Sequence, residues 1–231
     1  MFDLLDGLKK CGIPDAAIPL LAEKMEAYIK EIILFNSAYN LTNTSDRDEL
    51  VVRHVLDSLA AWQPLMERYN LFKKEGRKNL VFADIGSGGG LPGIPLSAAF
   101  ACLTASGAAD YSDISFELVE RMEKRCAFLE NCSAILGLKS VTVINSEAER
   151  IPQEAYDLIT FRAFRPLDKK MTKTLLRIVK AGGCLCAYKA KAESIKEEMD
   201  GIKNLVPEYQ VVKLAVPGLE DSERNLVIIG A

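Results

Sequence analysis

The sequence is poor in the residues that most often build a metal centre. It holds one histidine, His54. Its six cysteines, Cys11, Cys102, Cys126, Cys132, Cys184 and Cys186, are scattered and include no C-x-x-C pair. A structural zinc site takes four Cys or His ligands at short local spacing, so no metal is expected. Buried free thiols in a reducing cytoplasm are the expected state. Positive charge is not in excess either, since the formal net charge is -3. A protein that holds nucleic acid by charge alone is basic, so any RNA contact must come from a local basic face. The start, Met-Phe-Asp, lacks a basic segment followed by an apolar core, and no signal peptide is expected. One uncharged run, Leu91 to Ala109, is long enough to suggest a membrane span. Pro92, Gly93, Pro95 and Gly107 interrupt it, so it reads as a buried helix with its exit turn. Hydrophobic residues make up 49% of the chain, and no long stretch reads as disordered.

What is present falls into two regions. Residues 1–62 read as a helical extension: Leu4, Leu5 and Leu8, then Ile18, Leu21, Met25, Ile29, Ile32 and Ile33, recur at helical spacing. A polar break from Asn36 to Asp48 precedes a second helical run, Glu49 to Trp62. Residues 63–79 are expected to be a linker, on the charged stretch from Glu67 to Asn79. From Leu80 the pattern turns to short apolar strands alternating with helices. Strands are predicted at Leu80–Asp84, Ile114–Glu120, Val141–Ile144, Tyr156–Phe161 and Cys184–Tyr188. Gly182-Gly183 reads as a turn, and Val211–Val216 with Asn225–Ile229 as a terminal hairpin. This alternation predicts an α/β fold over 80–231, a mainly parallel sheet with helices on both faces.

The segment Asp84-Ile-Gly86-Ser-Gly88-Gly-Gly90-Leu91-Pro-Gly93 follows the first strand. Five glycines in eight residues let a backbone approach a ligand closely and adopt positive φ. Gly88, Gly90 and Gly93 also fit G-x-G-x-x-G, a dinucleotide pattern. In that pattern backbone N–H groups meet a pyrophosphate. Here Asp84 ends the strand ahead of the first glycine, where a carboxylate repels pyrophosphate and attracts an ammonium. The D-x-G-x-G-x-G form therefore favours S-adenosylmethionine over NAD. Glu120 closes the second strand and suits the ribose hydroxyls of either cofactor. Ser146-Glu147-Ala148-Glu149 follows the third strand and can meet an adenine edge, though Ser with a Glu three residues on is also a helix capping box.

Several segments occur together, in order, in one known family: Tyr39-Asn-Leu-Thr42, Arg53-His-Val-Leu-Asp-Ser-Leu59, Asp84 to Leu96 with its Leu-Pro-Gly-Ile-Pro-Leu tail, Lys124-Arg-Cys-Ala-Phe-Leu129 and Arg162-Ala-Phe164. The chain resembles the bacterial 16S ribosomal RNA guanine-N7 methyltransferases, the glucose-inhibited division protein B family. That resemblance implies a Rossmann-like class I S-adenosylmethionine methyltransferase with a seven-stranded, mainly parallel sheet. It places cofactor contacts at Gly86, Leu91, Ala148, Glu149 and Arg162, beside Asp84, Gly88 and Glu120 of the glycine-loop unit. The implied partner is 16S ribosomal RNA or the small subunit, met by a cytoplasmic monomer. One departure stands out: Asp84 and Glu120 lie 36 positions apart, against roughly 20 in the general nucleotide-binding unit. Ala101 to Asp113 reads as the lengthened segment.

Guanine N7 carries an exposed lone pair, so methylation there needs no prior proton removal. No general base is expected; Arg162 and His54 are the catalytic candidates, and Arg53, His54, Arg165, Lys189 and Lys191 the RNA-binding ones. Lys169, Lys170 and Lys173 extend a basic rim beside them. The alternatives are a methyltransferase with another acceptor, a non-catalytic RNA-binding module, and an NAD-dependent oxidoreductase. The last lacks a recognisable hydride-transfer set.

Overall fold

The computed structural model describes residues 2–163 and 166–230. Two helices open the chain, α1 (Leu4–Lys10) and α2 (Ile18–Tyr39). Asp3 caps the first through its side chain, and Asn40 ends the second in the left-handed conformation, at φ 48°. Asparagine tolerates that conformation better than most residues. The next helical run is composite: α3 (Arg47–Leu50), a π-helical turn (Val51–Leu56) and α4 (Asp57–Leu59). Next comes α5 (Trp62–Lys74), so the expected linker is instead largely helix. Its charged residues face water, while Leu65, Tyr69 and Phe72 form a buried stripe. Trp62 and Tyr69 pack against Phe100, with ring centroids 4.9 and 6.4 Å away.

The rest alternates: β1 (Leu80–Ile85), α6 (Gly93–Ala105), β2 (Ile114–Glu120), α7 (Glu123–Ile135), β3 (Val141–Asn145), β4 (Tyr156–Arg162), α8 (Lys169–Ile178), β5 (Val179–Lys189), α9 (Ala192–Ile202), β6 (Gln210–Lys213) and β7 (Asn225–Gly230). The seven strands form one sheet in the order β3-β2-β1-β4-β5-β7-β6. The first five run parallel, while β7 is antiparallel to both β5 and β6. The glycine pair expected as a turn before β5 lies inside it, and the β4–β5 register shifts alongside. Leu91 to Ala109 is the buried α6 with its exit turn, and α6 continues through Ala101 to Ala105. Among the described residues no helix is long and apolar enough to cross a membrane.

Both sheet faces are buried, which is why the strands read as apolar runs. Phe82, Phe116, Leu118, Leu158 and Ile228 face a core shared with α1, α2, α5, α6 and α7. Their neighbours Ala83, Val119, Ile159, Phe161 and Val227 face α8 and α9. The N-terminal helices thus complete one layer of the sheet's own core. Strand order reverses between β1 and β4. A ligand in an open α/β sheet sits beyond the carboxyl ends at such a switch point.

Candidate active site

The glycine loop leaves β1 at that switch point. Gly86, Gly88 and Gly90 have φ of 70°, 58° and 91°, in the left-handed region that glycine enters without cost. Gly93 has a different constraint: a Cβ there would stand 2.3 Å from Leu118 Cδ2. Bonds within the protein account for nearly all the loop's donors. The N–H groups of Gly86 and Ser87 donate to the Val119 carbonyl, at 2.9 and 3.1 Å. Those of Gly90 and Leu91 donate to the Ser87 carbonyl, and that of Ile94 to the Gly90 carbonyl.

The two acidic residues take the remainder. Asp84 is 1% exposed. Its Oδ2 accepts from Ser87 Oγ at 2.7 Å and from the Gly93 N–H at 3.0 Å. Oδ1 accepts from Thr160 Oγ1 at 3.4 Å. Asp84 therefore caps α6 from inside the loop; it does not stand at the cleft mouth facing an ammonium, as expected. Burial pushes its carboxyl up to about 6, against the pull of Ser87, Gly93 and Arg162. Glu120 Oε2 accepts from the Gly88 N–H and Oε1 from the Met122 N–H, both at 2.9 Å. The longer path between the two acids is the helix-to-strand turn after α6, and both still meet on the loop.

The N-terminal helices roof this loop. The buried Tyr28 hydroxyl donates to the Gly89 carbonyl, and Leu41 lies 3.4 Å from where a Gly89 Cβ would stand. Asn36 holds the covering strand of chain: its Oδ1 accepts from the Leu41 and Thr42 N–H groups, each at 2.9 Å.

Two cavities flank the switch point. A small cleft of about 190 Å³ is lined by Gly86, Glu120, Met122, Arg125 and residues 146–149, Ala148 and Glu149 among them. A larger cavity of about 1010 Å³ lies beyond β4 and β5, lined by Arg162, Tyr188, Lys189 and Arg224 among others. Ala163, at φ 50°, borders both. Gly88 and Leu91 lie in the loop wall without lining either cavity, and Leu91 is buried.

Arg162 ends β4 and borders only the larger cavity. Its Nη1 donates to Asp57 Oδ2 at 2.7 Å and to the Arg53 carbonyl at 3.2 Å. Its Nη2 lies 3.2 Å from His54 Nδ1. A guanidinium can only donate, so Nδ1 accepts and the imidazole proton sits on Nε2. That Nε2 is buried without a partner. Burial, then the charges of Arg162 and Arg53, lower the His54 pKa to about 4, so the ring is neutral. The Arg53 side chain is exposed and lies 3.9 Å from Glu49. Lys189, expected as an RNA contact, is paired with Glu198 at 2.7 Å. Lys191 is exposed just before α9. Arg165 lies outside the described residues. Sequence reading gave no role to Asp57, Tyr28, Asn36 or Arg224. Asp57 sat within a quoted motif, but its two arginine partners are 105 and 167 residues away.

Comparison with known proteins fits this arrangement. Residues 21–227 match the GidB family model, described as rRNA small subunit methyltransferase G. A relative from Treponema denticola, ribosomal RNA small subunit methyltransferase G, is 40% identical over 98% of this chain and 92% of its own. One of the same name from Limosilactobacillus reuteri is 32% identical over 94% of this chain and 87% of its own. Among solved structures, a putative O-methyltransferase from Klebsiella pneumoniae shares the fold, with a TM-score of 0.53, at 12% identity over 88% of this chain and 89% of that one. Its match and the sheet order make this a Rossmann-like class I methyltransferase fold. By sequence the chain belongs to the GidB family, rRNA small subunit methyltransferase G.

Proposed function

We propose that the protein transfers a methyl group from S-adenosylmethionine to N7 of a guanine in 16S ribosomal RNA of the small subunit. The observation that carries the cofactor choice is the state of the loop's N–H groups. A dinucleotide's pyrophosphate needs several of them free at a helix N-terminus. Here the N–H of Gly88 is taken by Glu120, that of Gly93 by Asp84, and Pro92 and Pro95 have none. This disfavours NAD for a reason other than the charge repulsion read from the sequence.

The small cleft fits a nucleoside. A carboxylate offers about four lone-pair positions. Glu120 spends one per oxygen on backbone, leaving the others for two ribose hydroxyls. Ala148 and Glu149 would flank the base, and Gly86, Gly88 and Leu91 form the wall toward the amino-acid end. When bound, the cofactor supplies an electrophilic methyl on a sulfonium. The residues here then have three tasks: hold the acceptor base in line, exclude water and keep the loop rigid. No group need take a proton first, which suits a site whose histidine is neutral and whose buried acid is engaged. In this reading Arg162, which borders the larger cavity, also faces the acceptor, beside the cofactor contact implied by resemblance. Arg53 and Lys191, both exposed, remain phosphate contacts in this reading. In this reading the protein acts in the cytoplasm, where the small subunit is found.

The test uses small subunits from cells lacking the protein, incubated with methyl-labelled cofactor. Label should appear as 7-methylguanosine at a single position in 16S RNA by nuclease digestion and mass spectrometry. Label in another nucleoside, or none, would sink the assignment.

A further inference from the structure

The π-helical turn has a specific effect on the site. In an α-helix the Asp57 N–H would bond to the Arg53 carbonyl. Here it bonds to the carbonyls of Val52 and His54. The Arg53 carbonyl instead accepts from Arg162. Such turns recur at functional sites, and this one leaves the Arg53 carbonyl to a side chain.

Other contacts converge on the same spot. Asp57 is 6% exposed, and its two oxygens hold Arg162 Nη1 at 2.7 Å and Arg224 Nε at 3.1 Å. The Tyr188 hydroxyl at the end of β5 donates to the Ser58 carbonyl at 2.7 Å. Asp57, Arg162, Tyr188 and Arg224 all line the larger cavity. A guanidinium carries five N–H donors. Arg162 uses three on the turn, and Arg224 uses Nε on Asp57 and one Nη1 donor on the Glu223 carbonyl. Both keep donors for a ligand.

The major-groove edge of guanine offers two acceptors, O6 and N7. N7 must stay free to receive the methyl group, so O6 is the atom left for such donors. Adenine places an amino group there, which would meet the arginines donor to donor. We propose that Asp57 is a positioning residue: it holds Arg162 and Arg224 as a paired donor wall for the oxygen edge of the acceptor guanine. The helical extension is then part of the acceptor site. This rests on the methyl-transfer reading above.

The experiment compares wild type, Asp57→Asn, Arg224→Gln and the double variant, by turnover on small subunits and by calorimetric titration of S-adenosylmethionine. Most subunit affinity comes from distant phosphates, so a misaligned base costs turnover more than binding. For D57N, kcat should fall about 100-fold while KM stays within about threefold. For R224Q, kcat should fall about tenfold, and the double variant should be no slower than D57N, because the two share one interaction. Cofactor affinity should hold within about threefold throughout, a split that general damage to the fold would not give. Wild-type turnover in folded D57N or in R224Q overturns the assignment, as does a loss of turnover that tracks cofactor affinity. If D57N does not fold, R224Q alone decides between these outcomes. A wild-type protein that binds cofactor yet methylates no subunit overturns instead the reading beneath it.

Discussion

A carboxyl group titrating near pH 6 inside the protein takes up a proton that the unfolded chain, near 3.8, does not. Asp84 therefore favours the folded state below about pH 4, and that advantage is lost as pH rises through about 6. The full swing is roughly 3 kcal/mol. His54 acts in the opposite sense. Its folded pKa of about 4 lies below its ordinary 6.5, so its contribution is present above 6.5 and lost as pH falls through about 4. Urea midpoints measured from pH 4 to 7 should separate the two. Asp84→Asn should make stability rise more steeply with pH than wild type, and His54→Gln should tilt it the other way. Parallel curves for all three proteins would mean that neither group is buried as described. Asp84 also shows what one residue's sequence context leaves out. Its place ahead of the glycines was plain, but not that it turns inward to Ser87 and Gly93.

The strongly amphipathic α8 buries Met171, Thr172, Leu175 and Ile178 and exposes Lys169, Lys170 and Lys173, of which Lys169 borders the larger cavity. Replacing the three lysines by glutamate should weaken subunit binding at every salt concentration. It should also lower the slope of log affinity against log salt by about three, one per phosphate contact. An unchanged slope in filter binding would clear this face of RNA contact. Elements of this kind were the most legible part of the chain. The bounds of β2 read directly, because Ile114, Phe116, Leu118 and Val119 form a strand pattern that closes on Glu120. The spacing of Leu65, Tyr69 and Phe72 was there to be read in α5, but the density of charge around it resembled a linker. The Gly182-Gly183 pair looked like a turn because a strand seldom holds one; here it sits where the β4–β5 register shifts. The pairing of Lys189 was not legible, because its partner Glu198 comes from the following helix.

At the scale of the whole molecule, one face of the sheet is only partly covered by the helices of its own unit. Phe82, Phe116, Leu118 and Leu158 share their core with α1, α2 and α5 as well as with α6 and α7. A fragment of residues 80–231, the unit expected from sequence as a domain, should then fail to fold cooperatively. It should bind a hydrophobic dye and melt without a transition in circular dichroism. A sharp melt and a dispersed NMR spectrum would show that the catalytic layer stands alone. The change in periodicity at Leu80 was legible. That both sides of it pack into one core was not, since periodicity records which face is apolar and not what lies against it.

The glycine loop also bears on the cell's most abundant adenosine compound. ATP carries the same nucleoside that the small cleft would receive, and differs in a polyanionic tail. A P-loop greets that tail with a row of unused backbone hydrogens. In this loop Glu120 and Asp84 have already claimed those at Gly88 and Gly93, so the triphosphate would meet carboxylates and satisfied peptide groups. A loop built this way would therefore pass over ATP in favour of S-adenosylmethionine, whose tail carries an ammonium and no phosphate.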